Sequence, residues 1–513
     1  MLQRFLIILL FLSTHFYNVK SQEILDYFQH TVERGQTVYS ISRMYSVSVE
    51  DIYLLNPGSR EAIQTGSQLK IPQESGSYFY HTIQQKETLY SVSRKYQMKG
   101  EDILDVNPGL SIETFTAGKT IRIPTNRVTT PMDSSNETLN QHITNALLNN
   151  PADGKDIKTV KIALLLPLGL KENAGSKNTV RGRMVEYYEG VLLALEDIKK
   201  KGISVDLQVH DIGSGVDLLP ALFKKPAMQN VNLIIGGLSD QQIKLIAYYS
   251  HERAIPYVFP FTSKSDEPLN YDNVYQINTP QSYLYSKASS AFYNKYKTSN
   301  IILYIPDKKG NKMDFIEVVK KDLTAKGISY KVLESETAIQ TVVNNTKNNV
   351  FIPADDNSET LSKLITPLKT FMETNPGLSV SLFGYPSWQV YSMEHASDFF
   401  RMNATFYSIF YANPTSPKVK SFQNNYLRWY SKEMINTFPK FGMLGYDTSM
   451  FFIQLLNQYG TSSDVNINKL SYTGVQTDFY FERVNNWGGF INTNIYLVEF
   501  NPDFKITANR FFK

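Results

Sequence analysis

The chain has no cysteine among its 513 residues. Disulfides, thiolate metal sites, cysteine nucleophiles and a lipid-modified N-terminal cysteine are excluded together, and a large core must supply the stability that cross-links do not. Net charge is scarce too: the formal balance is +4, and no dense Lys/Arg run occurs. That is too little for a nucleic-acid footprint, so no nucleic acid is expected as a partner. Lys199-Lys200-Lys201 reads as solvated charge at a helix end. Catalytic signatures are equally sparse. Neither His-Glu-x-x-His nor Gly-x-Ser-x-Gly occurs, and His142, His210, His251 and His395 show no motif spacing. Asp211 and the Asp355-Asp356 pair are carboxylates that could serve glycoside hydrolysis, a chemistry that depends on their separation in space. The expectation is a chain without enzymatic activity, metal or cofactor.

Long apolar runs are missing as well. The stretch Phe5 to Leu12 follows Met1-Leu2-Gln3-Arg4 and is too short to span a bilayer. One positive charge precedes it, polar residues follow near Ser13, and Val19 and Ser21 suit cleavage after Ser21, so residues 1–21 read as a secretory signal peptide. The mature chain is expected to be exported and to have no transmembrane span.

What is present is repetition. Tyr27-Phe28-Gln29-His30-Thr31-Val32 returns as Tyr78-Phe79-Tyr80-His81-Thr82-Ile83, an offset of 51 residues. Tyr39-Ser40-Ile41-Ser42-Arg43 returns as Tyr90-Ser91-Val92-Ser93-Arg94, and Asn56-Pro57-Gly58 as Asn107-Pro108-Gly109, at the same offset. Such a period marks two copies of one module. In each, an alternating strand leads to a helix carrying Val38, Ile41 and Tyr45, or Leu89, Val92 and Tyr96. Ser48-Val49-Glu50-Asp51 has the form of a capping box for a second helix, which Asn56-Pro57 stops because a residue before proline disfavours the helical region. Leu69 to Pro72 and Thr120 to Pro124 close the two units as strands.

In this order the elements resemble LysM domains: His-Thr-Val, Gly-x-Thr-Val-Tyr-Ser-Ile-Ser, Asn-Pro-Gly and a strand ending in Ile-Pro. The resemblance covers residues 27–73 and 78–124 and implies a βααβ fold. It also implies N-acetylglucosamine-containing glycans, peptidoglycan or chitin, as ligands. The family's groove lies between the loop into the first helix and the loop leaving the second. By position this nominates Gly35, Gln36, Thr37 and Val38 with Asn56, Pro57 and Gly58 in the first copy. Glu87, Thr88 and Leu89 with Asn107, Pro108, Gly109 and Leu110 are the equivalents in the second. Lys86 replaces glycine where the turn favours positive φ, which makes the second copy the weaker glycan candidate. The same positions have a structural reading, in which Thr37 and Thr88 cap helices, Asn56 and Asn107 stop them, and His30 and His81 are hydrogen-bonded strand residues. Tyr39, Tyr45, Tyr90 and Tyr96 would fill small cores.

Residues 125–157 are polar and Pro/Asn-rich and read as a flexible linker. From residue 158 to 513, buried-strand runs such as Val160 to Leu166, Val231 to Ile235, Ile301 to Ile305 and Ser379 to Phe383 alternate with amphipathic helices. Repeated βα units imply parallel sheets covered by helices, here in two sets. The run Ile162-Ala163-Leu164-Leu165-Leu166-Pro167, the Gly190 to Leu195 helix, Ile235-Gly236-Gly237-Leu238-Ser239, Pro256-Tyr257-Val258 and Gly445-Tyr446-Asp447 resemble type I periplasmic binding proteins of the leucine-binding kind. That resemblance implies two lobes, with crossovers near 278–283, 405–415 and the C-terminus, and a ligand held between them. By position Ser239 and Thr262-Ser263 correspond to donors for a ligand carboxylate, Tyr285 lies near the first crossover, and Tyr385 and Trp388 face from the second lobe. Ser239-Asp240-Gln241-Gln242 is equally a capping box, and Asp240 would oppose a carboxylate.

The sequence thus predicts an α/β and α+β multidomain chain: two βααβ modules, then a two-lobed α/β domain with parallel sheets. The expected role is that of an exported, non-enzymatic peptidoglycan-binding protein of a bacterial periplasm or cell envelope. Its second partner would be a small-molecule solute or an envelope protein. The alternatives are an amino-acid-like solute receptor of the transport type and a cell-wall glycan hydrolase.

Overall fold

The computed structural model describes residues 27–33, 36–60, 63–73, 77–110, 114–125, 157–170, 179–460 and 463–511. The expected signal peptide, Gly35 and residues 126–156 of the expected linker lie outside the described residues.

The first module runs β1 (Tyr27–Thr31), α1 (Val38–Tyr45), α2 (Val49–Leu55) and β2 (Gln68–Pro72). The second runs β3 (Tyr78–Thr82), α3 (Leu89–Tyr96), α4 (Gly100–Asp105) and β4 (Thr120–Pro124). Each module closes as a two-stranded antiparallel sheet, with His30 opposite Leu69 and His81 opposite Ile121. Helices α1 and α3 start where Thr37 and Thr88 accept from the N–H of Ser40 and Ser91. The serine hydroxyls return the bond, so two orphan donors are satisfied at each helix start. Ile41, Ile52 and Ile71 form the centre of one core, and Val92, Ile103 and Ile121 that of the other.

The large domain has two seven-stranded sheets, both mostly parallel. Lobe 1 holds β5 (Thr159–Leu166), β6 (Ser204–Asp211), β7 (Leu233–Gly236), β8 (Tyr257–Phe259) and β9 (Val274–Gln276). The chain then enters lobe 2 for β10 (Asn300–Tyr304), β11 (Tyr330–Leu333), β12 (Asn349–Pro353), β13 (Val380–Gly384) and β14 (Thr405–Ser408). It returns to lobe 1, adds the hairpin β15 (Phe481–Arg483) and β16 (Phe490–Asn492), and crosses again to β17 (Tyr496–Phe500) and β18 (Ile506–Arg510). Helices α5 (Thr179–Lys200), α6 (Asp240–His251) and α11 (Phe441–Tyr459) serve lobe 1, while α7 (Gln281–Tyr296), α8 (Met313–Ala325) and α9 (Ser358–Thr374) serve lobe 2. Helix α10 (Pro417–Tyr430) packs beside α11. Gly190 and Gly445 are required where α5 meets α11, because a Cβ on either would collide with backbone carbonyls of the other helix.

The modules pack on each other and on lobe 1. Phe28 stacks on Tyr80 at 5.1 Å, and Tyr45 meets Tyr80 edge-on at 4.7 Å. Thr82 donates its hydroxyl to the Gln29 carbonyl across the module boundary. Trp487, at the turn between β15 and β16, sits between the modules and is only 3% exposed. Its ring lies 5.9 Å from Tyr45 and 5.6 Å from Tyr80, with the Arg122 guanidinium 4.6 Å away over its face. Leu269, Val484 and Ile491 of lobe 1 share this core with Phe28, Val32 and Ile41. Arg43 pairs with Asp266 of lobe 1 at 3.1 Å, and Lys321 of lobe 2 donates to the Thr65 carbonyl at 3.3 Å.

Candidate functional site

In the first loop of module 1 the Gln36 amide is engaged at home. Its Oε1 accepts from the Glu33 N–H at 2.7 Å and lies 2.7 Å from His30 Nε2, while His30 Nδ1 meets the Tyr45 hydroxyl at 2.7 Å. Module 2 repeats the arrangement with a charge: Glu87 Oε2 accepts from the Gln84 N–H at 2.7 Å and lies 2.7 Å from His81 Nε2. Tyr96 completes the chain at 3.0 Å from His81 Nδ1. Burial pushes both imidazoles below their ordinary pKa against the pull of Gln36 and Glu87. Burial would raise the Glu87 carboxyl, yet the Gln84 N–H and His81 hold it below its usual range.

The second loops are closed by asparagines. Asn56 Nδ2 donates to the Ile52 and Lys70 carbonyls at 2.8 and 2.7 Å, and its Oδ1 accepts from the Lys70 N–H at 2.9 Å. Asn107 makes the same three bonds to Ile103 and Arg122 and is 1% exposed. This corrects the reading of Asn107 as a glycan contact, since it is buried and its amide is saturated. Val38, Leu89 and Leu110 are likewise core residues and offer no surface to a sugar. Thr37 and Thr88 use their hydroxyls as caps. The groups left for a glycan are backbone ones, and here the two copies differ. Pro57 and Gly58 are exposed, and a Cβ on Gly58 would meet nothing within 4 Å. Pro108 is exposed too, but the Gly109 N–H donates to Asn486 O at 2.6 Å, and a Cβ there would stand 2.8 Å from Arg483 Cδ. The lobe 1 turn therefore covers part of the second copy's loop.

Lys86 adopts φ 70°, so the turn keeps its left-handed residue without glycine. A non-glycine residue there costs about 1 kcal/mol. Lys86→Gly is expected to stabilise the protein by roughly that amount, read as a shift of the urea midpoint at unchanged slope.

The first loop of module 1 faces lobe 1 across two cavities of about 700 and 330 Å³. Gln36 lines the larger and Thr37 the smaller; Tyr283, Val484 and Ile491 line both.

Most of the residues nominated for the inter-lobe cleft are committed to other partners. Ser239 caps α6, and Gln242 Oε1 accepts from the Leu238 and Ser239 N–H groups at 3.1 and 3.3 Å, occupying amides an anion would need. Thr262 Oγ1 accepts from the Lys264 N–H at 3.1 Å. Ser263 lines the smaller junction cavity beside Thr37 and Tyr39. Tyr285 packs edge-on against Phe315 at 5.4 Å, and burial, with Asp314 and Asp356, pushes its hydroxyl up to about 12. Tyr385 is fully buried and donates to the Pro353 carbonyl at 2.6 Å, and Trp388 is fully buried and stacks on Phe399 at 5.4 Å. Both are corrected to core residues. Ser239, Thr262, Tyr285, Tyr385 and Trp388 line none of the cavities described. Beyond β8, Phe261 packs on Phe441 and Tyr187, with ring centroids 5.8 and 4.8 Å away.

The candidate carboxylates are also engaged. Burial would raise Asp211, but the N–H groups of Gly213, Leu170, Gly169 and Leu168 hold it below its usual range. Asp355 and Asp356 bond to Asn311 and Asn357 at the end of β12, in the other lobe. Among the described residues no group of three or more His, Asp or Glu side chains is arranged to hold a metal. The sequence reading missed Trp487. Its signal was present in Asn485-Asn486-Trp487-Gly488-Gly489, a large aromatic residue among turn formers.

The chain carries two LysM domains, followed by a two-lobed fold like that of periplasmic binding proteins. The LysM domain model matches residues 30–72 and 81–124. A Bacillus subtilis (strain 168) protein named as a candidate sporulation-specific glycosylase, YdhD, is 33% identical over 97 residues, 19% of this chain. The match spans 22% of that protein. A candidate branched-chain amino acid ABC transporter structure from Rhodospirillum rubrum is similar over 68% of this chain and 100% of its own, with TM-score 0.50 and 13% identity. An ABC transporter substrate-binding protein from Desulfitobacterium hafniense, in complex with Leu, covers the same shares at TM-score 0.41 and 13% identity.

Proposed function

We propose that this chain is an exported, non-enzymatic peptidoglycan-binding protein that acts in the bacterial periplasm or cell envelope. The tandem LysM match carries the reading. The exposed Pro57 and Gly58 loop, with an open face beside it, makes module 1 the principal glycan contact. Backbone N–H and C=O groups there would bond acetamido and hydroxyl groups, which needs no charge on the sugar. The large domain serves this reading as a platform for an envelope protein. Aromatic packing of Phe261 on Phe441 and Tyr187, and the bonded state of Ser239 and Thr262, favour that role over solute capture. The glycosylase in the name of the Bacillus protein remains a statement about that protein. Among the described residues no helix is long and apolar enough to cross a membrane.

Purified full-length chain is expected to co-sediment with purified peptidoglycan and to release no soluble fragments from it. Protein left in the supernatant sinks the anchoring role, and solubilised glycan sinks the non-enzymatic one.

A further inference from the structure

The two junction cavities, about 700 and 330 Å³, share three lining residues, Val484 and Ile491 of the lobe 1 hairpin and Tyr283 at the start of α7, and have the first loop of module 1 as their opposite wall. Their sizes fall in the range of sites that enclose small ligands. A glycan bound along Gln36 and Thr37 would not lie in open solvent but against lobe 1. Tyr283 and Tyr480 are the tyrosines of the larger cavity's lining, and Tyr480, 40% exposed, is the one with ring surface to offer the apolar side of a sugar. Asn494, 2% exposed, lines the larger cavity, and its Oδ1 accepts from Arg510 Nε at 3.2 Å.

The lining also carries charge. Lys119, Lys287 and Arg483 stand against Glu33 and Glu482, and Glu33 already pairs with Lys119 at 2.6 Å. Lys287 is held 5.1 Å over the Tyr480 ring and donates to the Thr493 carbonyl at 3.0 Å, which fixes a cation beside an aromatic platform. An acid group next to a stacked sugar would meet it there. We infer that the junction is a composite glycan site, in which the lobe 1 hairpin and the start of α7 complete the groove of module 1 and select amino-sugar glycans that carry carboxylates over neutral ones. The inference rests on the glycan-binding reading and adds the lobe's part in it.

Calorimetric titration of the full chain with two probes tests it: a disaccharide-peptide fragment of peptidoglycan, which bears carboxylates, and neutral chitotetraose. The acidic fragment is expected to bind about tenfold more tightly, with a preference that shrinks as salt is raised. Lys287→Gln is expected to erase the preference for the acidic fragment, and Tyr480→Ala to weaken both probes severalfold, with thermal melts like the parent's. Equal affinity for the two probes, or a preference that survives in Lys287→Gln and Lys119→Gln alike, overturns the composite site alone. Binding of neither probe overturns the glycan reading itself.

Discussion

Replacing Trp487 with alanine is expected to cost about 3–5 kcal/mol, the range for truncating a buried tryptophan. The ring is shared by three units, since it touches Tyr45 of module 1, Tyr80 and Arg122 of module 2, and belongs to the lobe 1 hairpin. Its loss should therefore undock the LysM pair before it unfolds lobe 1. The expected readings are an early step in thermal unfolding and a larger radius in solution scattering. Trp487→Phe is a useful control. It keeps most of the contact area and removes an indole N–H that is buried without an acceptor, so its cost should fall to roughly 1 kcal/mol. A single transition at the parent temperature in Trp487→Ala would show that the docked arrangement does not depend on this side chain.

The second large effect is expected at Asp447. Its carboxylate is fully buried on α11 and accepts from the N–H groups of Val475, Gln476 and Thr477 at 2.7, 2.8 and 3.0 Å, and from the Tyr472 hydroxyl at 2.8 Å. Asp447→Ala leaves those donors without a partner and should cost roughly 3–5 kcal/mol in urea unfolding. Asp447→Asn keeps one accepting oxygen and should cost less. The two differ in pH dependence as well. Burial lifts the Asp447 carboxyl to about 6 despite its donors. A carboxyl raised on folding binds its proton more tightly in the folded state, so its contribution is full at low pH and is lost as pH rises through about 6. The parent should lose that increment between acid and neutral pH, and Asp447→Asn should not. Parallel stability profiles for the two proteins would rule this out.

The modules and the alternating core of the large domain were legible because their signals are local. Thr37 and Thr88 cap helices in any context, and Ile41, Ile52 and Ile71 fall at spacings that only a βααβ unit buries together. The parallel strands of both lobes announced themselves as unbroken apolar runs. The binding groups were harder to read. Asn56 is compatible with helix stop, strand clamp and sugar ligand, and only its bonds to Ile52 and Lys70 distinguish these. Trp388 at the end of a strand looks the same whether it faces a cleft or, as here, packs on Phe399 in the outer core of lobe 2. Docking was invisible for a different reason. Leu269, Val484 and Ile491 satisfy the pattern of their own hairpin and turns, so nothing in their spacing reveals that they also cover Phe28 and Val32.

Module 1 touches both lobes, through Arg43 on Asp266 of lobe 1 and through Thr65 under Lys321 of lobe 2. Three chain crossovers join the lobes, and rotation about them is the motion that such a connection permits. A small domain bonded to both sides of that axis acts as a strut: any rotation that separates the two attachment points must first break one of them. The angle between the lobes and the seat of the first module are thereby tied together.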